Sequence, residues 1–162
     1  VRWLAPCLAF TCEEAWKSRG YKTSIHLEDF MPINPKYKNL LLNNKWNIIK
    51  DIRKVITGAL EKKRAEKIIG SSLEAHIEVF LTDKIKKQID NVHLDEIAIT
   101  SSYEILSYNE QASGFKMEDI MDVSVEIKKN IGNKCNRCWK YSKQVKVDDI
   151  CQRCTDSINN KP

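Results

Sequence analysis

The chain has 162 residues, of which 42% are hydrophobic and 30% charged, a balance typical of a core-forming protein and not of a disordered chain. No apolar run approaches the roughly 20 residues of a membrane-spanning helix, so we expect no membrane partner. The net charge of +5 is uneven, because residues 1–127 carry 18 basic and 19 acidic side chains, whereas residues 128–162 carry 9 and 3. This basic segment suits a phosphate backbone or an anionic surface, and a merely solvated tail is the alternative.

The first 44 residues predict short helical pieces and an irregular connection. The opening segment lacks a basic leader with a cleavage site, so we interpret it as the interior of a helical region in a longer protein. Thr11 with Glu14 predicts a capping box that opens a helix reaching about Lys17. Residues 20–44 contain prolines and several asparagines, which predict an irregular connection with an extended piece at residues 25–27.

The strongest periodic signal predicts an amphipathic helix that begins between residues 40 and 45 and ends at Ile69. Its apolar residues recur every three or four positions, and Gly70 suits the position just past its end. Gly58 in its middle costs about 1 kcal/mol relative to alanine, which indicates close packing against a neighbour. The last turns are basic, which fits either a solvated helix end near the negative dipole pole or contact with a polyanion.

From Ser71 onward the hydrophobic period changes from 3.6 to 2, which predicts strands. We expect strands at residues 75–80, 97–99, 103–106 and 123–127. We also expect a single short helix over residues 82–91 with Thr82 as its cap. Together these elements predict a small α+β unit. No Ser/His/Asp set, paired carboxylates or glycine-rich phosphate loop is present, so we predict no catalytic residues.

The cysteine spacing predicts a zinc site near the end of the chain. Two C-x2-C pairs separated by 12 residues are the usual way to build a tetrahedral tetrathiolate site, and the gap leaves room for a short hairpin. Four thiolates leave no open position for water or substrate, so the zinc would be structural. Two disulfides or a redox dithiol are the alternatives, but the rest of the chain resembles an intracellular protein, in which thiols stay reduced. The predicted ligands are Cys135, Cys138, Cys151 and Cys154.

The remaining cysteines and the basic neighbours have simpler interpretations. Cys7 and Cys12 are interpreted as small buried apolar residues without a ligand role. A zinc ion with four thiolates carries a formal charge of −2, and nearby cations can offset it. The cations that we expect to do so are Lys134, Arg137, Lys140 and Arg153.

Several segments resemble, in chain order, class I aminoacyl-tRNA synthetases of the isoleucine type. Trp-Leu-Ala-Pro at residues 3–6 and Phe-Thr-Cys-Glu-Glu-Ala-Trp at 10–16 are similar to the start of that family's anticodon-binding region. Residues 24–30 resemble the segment that follows, and residues 59–75 resemble the helix-to-strand passage of the bacterial enzymes. Cys-Asn-Arg-Cys-Trp at 135–139 and Cys-Gln-Arg-Cys at 151–154 resemble the C-terminal zinc finger of these enzymes, a type shared with some DNA glycosylases.

The resemblance implies an α+β fold in three parts. These are a helical anticodon-binding region over residues 1–70, a small α+β unit over 71–130 and a zinc-finger module over 131–162. It also implies a cytoplasmic, monomeric parent ligase that forms isoleucyl-adenylate from ATP and transfers isoleucine to tRNA(Ile). The adenylate-forming signatures are absent here, so ATP would bind only in a catalytic domain elsewhere in the parent. That domain would be a further partner of this chain.

The resemblance implies a tRNA-docking role without catalysis for these residues. In single-stranded loops, bases stack on aromatic rings while Arg and Lys bind phosphates. The expected contacts are Arg64, Lys67, Arg137, Trp139, Lys140 and Lys143. For Trp139, packing over the zinc knuckle is the alternative. Two rival functions remain at this point, a DNA-binding zinc module of a base-excision glycosylase and a scaffold module with structural zinc.

Overall fold

The computed structural model describes residues 1–109, 114–146 and 149–159, and the chain divides into two compact units, residues 1–40 and 41–162. The first unit contains helix α1 (Ala9–Ser18) and 3-10 helices at Ile25–Leu27 and Pro35–Tyr37. The second contains helices α2 (Leu40–Ala65, apart from its first residue), α3 (Asp83–Gln88), α4 (Leu94–Ala98) and α5 (Gln152–Asn159), and strands β1 (Ala75–Leu81), β2 (Ser102–Ser107), β3 (Phe115–Met117), β4 (Ile120–Lys129), β5 (Asn133–Lys134) and β6 (Tyr141–Ser142).

These elements confirm the predicted α+β class. No helix within the described ranges is both long and apolar enough to cross a membrane. The three-part division at residues 70 and 130 stays a prediction, and residues 160–162 of its last part lie outside the described residues. A 3-10 turn at Ser72–Glu74 leads from α2 into the sheet.

In the first unit, two local predictions were wrong. Helix α1 begins at Ala9, two residues before the predicted capping box at Thr11, and its N-cap Leu8 makes no side-chain hydrogen bond. The predicted extended piece at residues 25–27 is a 3-10 helix. Glu13 is the reason for the second difference, because its carboxylate accepts hydrogen bonds from the Ile25 amide and from the Ser24 hydroxyl, both at 2.9 Å. The Ser24 hydroxyl also caps this turn locally, because it accepts from the His26 amide at 3.3 Å. A local cap and a contact from α1 therefore fix the turn together.

The two cysteines of the first unit differ in exposure. Cys12 is buried with Trp16 and Ile25, as expected for a small apolar residue. Cys7 is exposed, so the prediction that it is buried was wrong.

The hydrogen bond from the Ile25 amide to the Glu13 carboxylate should make the environment of that amide depend on pH. Bonding to the Lys17 ammonium, and then to the Ile25 amide, lowers the pKa of Glu13 from its ordinary value of 4.5 to about 2. Because the folded-state pKa is lowered, the stabilising effect is present above pH 4.5 and is lost as the pH falls toward 2. We expect the Ile25 amide resonance to titrate with a midpoint near 2, as measured by NMR. Glu13→Ala should abolish that titration, whereas the matched Glu14→Ala should preserve it; a titration unaffected by Glu13→Ala would contradict the assignment.

The main sheet of the second unit has the order β2-β1-β4-β3, with β1 parallel to β2 and antiparallel to β4. Every second residue of β1 is buried, which confirms the predicted alternation. The apolar stripe of α2 packs on this face, and Ile52, Val55 and Ile56 are fully buried against the strands. Burial of one face of the helix on one face of the sheet therefore forms the core.

Helix α2 ends at Ala65, four residues before the predicted end at Ile69. The Ile68 amide bonds the Lys63 carbonyl and the Lys67 amide bonds the Arg64 carbonyl, which is the Schellman pattern of helix termination. Lys67 has a φ of 58° and occupies the left-handed position that glycine usually takes. Gly70 is therefore not the residue that ends this helix.

Gly58 has the close neighbour that its place in the helix indicated. A Cβ added at Gly58 would lie 2.6 Å from the Phe115 ring. The aromatic ring of β3 thus lies directly on the helix backbone, and a larger residue at position 58 would displace it.

The predicted strand at residues 97–99 was wrong. Residues 94–98 form α4, and Ile99 ends that helix in a left-handed conformation with a φ of 56°. Three apolar residues are too few to distinguish a period of 2 from one of 3.6. Among the described residues between Ser71 and Asn130 there are consequently two α-helices, α3 and α4, where one was expected.

Candidate metal centre

The finger, by which we mean the described part of residues 131–159, is built around the four predicted cysteines. Strands β5 and β6 pair antiparallel, with Asn133 opposite Ser142, and enclose the first cysteine pair. Helix α5 carries Cys154 of the second pair. A hairpin was expected between the two cysteine pairs, but the hairpin that forms surrounds the first pair. The Cys135 amide donates to the Lys140 carbonyl and closes its tight turn.

The four sulfur atoms have the geometry of a tetrahedral metal site. The Sγ atoms of Cys135 and Cys154 are 3.8 Å apart, those of Cys138 and Cys151 are 3.7 Å apart, and all four lie within 4.8 Å of one another. A tetrahedron with Zn–S bonds of about 2.3 Å has sulfur–sulfur edges of about 3.8 Å. A disulfide would bring two sulfurs to about 2.05 Å, and all four thiols are free. The site therefore fits zinc, and the disulfide alternative is excluded.

Burial and backbone donors act on the thiols in opposite directions. Burial raises the pKa of Cys135, but backbone amides of Cys138, Cys151 and Arg137 donate toward its sulfur and bring the pKa down to about 6. Burial, with hydrogen bonds to neighbouring thiols, raises the pKa of Cys151 to about 12. Zinc would hold all four sulfurs as thiolates and displace the protons that the thiols carry without it.

The finger has almost no core apart from these sulfurs. Val145 is buried against Cys135 and Cys154, and Ile150 packs against them while partly exposed. So small an apolar cluster cannot offset the ordering of the segment by itself. Four thiolates also leave no coordination position for a substrate, so the zinc is structural.

The cations near the site differ in what they contact. The Lys140 ammonium pairs with Asp95 of α4 at 2.6 Å, and Arg153 pairs with Glu96 at 3.5 Å. These two side chains fasten the finger to α4, and Asp95 had not been singled out in the sequence. The Arg137 guanidinium donates to the Cys154 carbonyl at 3.4 Å. That these cations offset the thiolate charge stays a prediction.

The aromatic residue of the finger is exposed. Trp139 has 57% of its surface exposed and a φ of 66°. The Lys134 ammonium lies 4.9 Å from the centre of its ring, within the range of a cation–π contact. More than half of the Trp139 surface is therefore free to contact a partner, and packing of the ring over the knuckle stays an untested alternative.

The other expected RNA contacts lie in two places. Lys143 is exposed on the finger, near Trp139 and Lys140 in the chain. Arg64 and Lys67 lie at the end of α2, where Arg64 is paired with Glu61. Within the described ranges, neither forms a hydrogen bond or ion pair with the finger.

A second group of ligand-type side chains lies on the outer face of the sheet. Atoms of His76, Glu78 and Glu104 lie within 4.8 Å of one another. However, the Lys128 ammonium already pairs with Glu78, and the His76 Nδ1 atom bonds the Ser102 hydroxyl. We assign no metal there, because an ammonium already supplies the positive charge.

Comparison with known proteins agrees with this geometry. Residues 1–79 match the family described as the anticodon-binding domain of tRNA ligase. Residues 132–156 match the zinc finger found in FPG and IleRS. The zinc prediction is confirmed by this match together with the cluster of four thiols.

Curated relatives cover most of the chain. The chain is 43% identical over 150 residues to the isoleucine–tRNA ligase of Bartonella henselae, and 38% identical over 151 residues to that of Bradyrhizobium diazoefficiens. Each alignment covers 91% of this chain but only 15% of the relative. A DNA glycosylase is thus not favoured, since the similarity extends far beyond the finger. The chain belongs to the isoleucine–tRNA ligase family, and it spans the anticodon-binding and zinc-finger region of that family.

Proposed function

We propose that this chain serves tRNA docking in an isoleucine–tRNA ligase whose complete form attaches isoleucine to tRNA(Ile) with ATP. The match of residues 1–79 to an anticodon-binding domain carries the proposal. The chain itself is non-catalytic, and ATP belongs to a catalytic domain of the same parent. We further propose that the parent acts as a cytoplasmic monomer.

Docking contacts combine phosphate binding with base stacking. Arg137 and Lys143 are exposed cations on the finger, and the exposed Trp139 ring offers a stacking surface. Arg64 and Lys67 would form a second, separate set of contacts near the end of α2. A phosphate at Lys140 would have to compete with Asp95, so Lys140 contributes less to RNA than to holding the finger.

The closed zinc site makes this surface rigid. The first cysteine pair holds the turn that carries Arg137 and Trp139, and the Trp139 amide bonds the Cys135 carbonyl at 2.9 Å. Pre-ordered side chains lose less conformational entropy when they bind RNA. Zinc thus raises the affinity for RNA by ordering this surface, and the ion itself makes no contact with the RNA.

The test is equilibrium binding of the zinc-loaded chain to a tRNA(Ile) transcript at several salt concentrations. We expect log K to fall linearly with log salt, with a slope of roughly 0.7–0.9 per phosphate contact. Preference for tRNA(Ile) over another tRNA would support the anticodon-directed role. Absence of binding in dilute buffer would instead support the scaffold function, and preference for a duplex DNA with a damaged base would support the glycosylase-type function.

A further inference from the structure

The finger is joined to the main sheet by a short segment with little apolar packing. Residues 130–132 alone connect the end of β4 to β5, and Ile131 within them is largely exposed. The buried apolar residues of the finger form a cluster of their own, separate from the core between α2 and the sheet. Burial of apolar surface therefore does little to fix how the finger is turned on the sheet, and directional polar contacts must do so.

Two ion pairs connect the finger to α4, and they differ in burial. Arg153 and Glu96 are both mostly exposed and lie 3.5 Å apart, and a pair of that kind contributes little in water. Lys140 and Asp95 are both mostly buried and lie 2.6 Å apart. The orientation of the finger therefore depends chiefly on the Lys140–Asp95 pair.

A backbone contact beside this pair supplies another fixed point. The Ser101 Oγ atom accepts from the Tyr141 amide at 2.6 Å and itself donates to the Leu73 carbonyl. One such bond leaves the finger free to turn about it. The ion pair of Lys140, the preceding residue in the chain, removes that freedom.

Asp95 is itself held firmly by the fold of α4. The Thr100 amide donates to the Asp95 carbonyl at 2.8 Å, and the neighbouring Leu94 is fully buried in the core of the second unit. Among the described residues, the other carboxylate oxygen of Asp95, Oδ1, is buried without a hydrogen-bond partner. A turn of the finger that moved Lys140 away would leave this carboxylate buried without a cation, which is strongly unfavourable.

We propose that Asp95 is a positioning residue, which selects one orientation of the zinc finger on the sheet and so places the side chains that the finger presents to RNA. Asp95 acts through Lys140, whose carbonyl closes the turn that carries Arg137 and Trp139. In some proteins a buried polar pair specifies one arrangement of the structure more than it adds stability. The part of the inference that concerns RNA rests on the proposed function, whereas the part that concerns orientation does not.

The orientation can be measured by residual dipolar couplings of amides in the weakly aligned, zinc-loaded chain. Asp95→Asn removes the charge with almost no change in shape, and Glu96→Gln is the matched control, because it removes the same charge from the exposed pair one residue later. In the unaltered chain and in Glu96→Gln, one alignment tensor should fit the amides of the finger and of the sheet. In Asp95→Asn, the couplings of the finger should shrink and require a tensor of their own, while the zinc affinity stays unchanged. A common tensor in Asp95→Asn would overturn the proposal.

Binding of a tRNA(Ile) transcript gives a second readout, for which charge and positioning predict opposite signs. Asp95→Asn removes a negative charge and releases Lys140 for a phosphate, so electrostatics alone would strengthen binding. If Asp95 positions the finger, binding should instead weaken about tenfold, which corresponds to the loss of one charge-assisted hydrogen bond. Unchanged or stronger binding by Asp95→Asn would overturn the proposal and leave the docking function intact. Absence of binding by the unaltered chain would overturn the docking function and the RNA part of the inference, and the dipolar couplings would still decide the orientation.

A double variant decides the matter if Asp95→Asn fails to fold. Asp95→Leu combined with Lys140→Met leaves no unpaired charge buried, so the finger should stay folded around its zinc. Without the ion pair, the finger should still lose the alignment that it shares with the sheet. A finger that keeps the common tensor in the double variant would overturn the proposal.

Discussion

Removal of zinc is expected to unfold the finger and to leave the four-stranded sheet folded. Zinc binding at comparable thiolate sites amounts to roughly 10–16 kcal/mol in isolated peptides, whereas the apolar cluster beside the sulfurs consists of little more than Val145 and Ile150. The Lys140–Asp95 pair is mostly buried, and a charged hydrogen bond of this kind contributes about 1–3 kcal/mol. Nothing else in the described finger approaches the contribution of the metal.

The measurement is a comparison of amide resonances and hydrogen exchange before and after treatment with a chelator. We expect amides of β5, β6 and α5 to lose dispersion and protection, while those of β1 and β4 keep both. Cys135→Ser should produce the same loss without a chelator, and Cys7→Ser should bind zinc as the unaltered chain does. A zinc-free chain whose finger amides stay protected would show that the metal is not needed for folding.

Gly132→Ala is expected to separate the hairpin of the finger from the segment that follows β4. Gly132 has a φ of 146°, and an added Cβ would lie 2.6 Å from the Lys143 amide nitrogen and closer still to the Ser142 carbonyl. Both of these neighbours are backbone, so no side chain can rotate away. Backbone strain and overpacking each cost about 1–3 kcal/mol. The backbone of residues 142–143 would have to move.

Two measurements report the destabilisation of the finger by Gly132→Ala. One is the midpoint of a titration in which a chelator competes for the zinc, and the other is urea unfolding followed at the amides of the finger. We expect a destabilisation on the order of 3 kcal/mol, with weaker zinc binding and weaker tRNA binding. Gly20→Ala is the control, because Gly20 also has a positive φ of 87° but has no atom within 4 Å of an added Cβ. Gly20→Ala should lower the free energy of unfolding by only about 1 kcal/mol, and only in the first unit. A Gly132→Ala chain with unchanged zinc affinity would contradict the close approach.

Several features could be predicted from sequence because their physics is local. Cysteine spacing predicts a metal site, since a C-x2-C turn points two sulfurs at one ion regardless of the rest of the fold. The alternation in β1 predicts a strand with one buried face, because successive side chains point to opposite sides. The apolar period of α2 predicts its buried stripe, although not its end at Ala65.

Other features were decided only by tertiary contacts between residues distant in the chain. The 3-10 helix at Ile25–Leu27 is held in part by the Glu13 carboxylate of α1, and the position of Lys140 depends on Asp95, 45 residues earlier. His76 of β1 and Lys143 of the finger line the same cleft, at the junction of the sheet and the finger. Hydrophobic period and ligand spacing are thus properties of a segment, and the sequence alone determines them. Pairing of charges and the shape of a cleft depend on which segments the folded core brings together, so only the tertiary structure decides them.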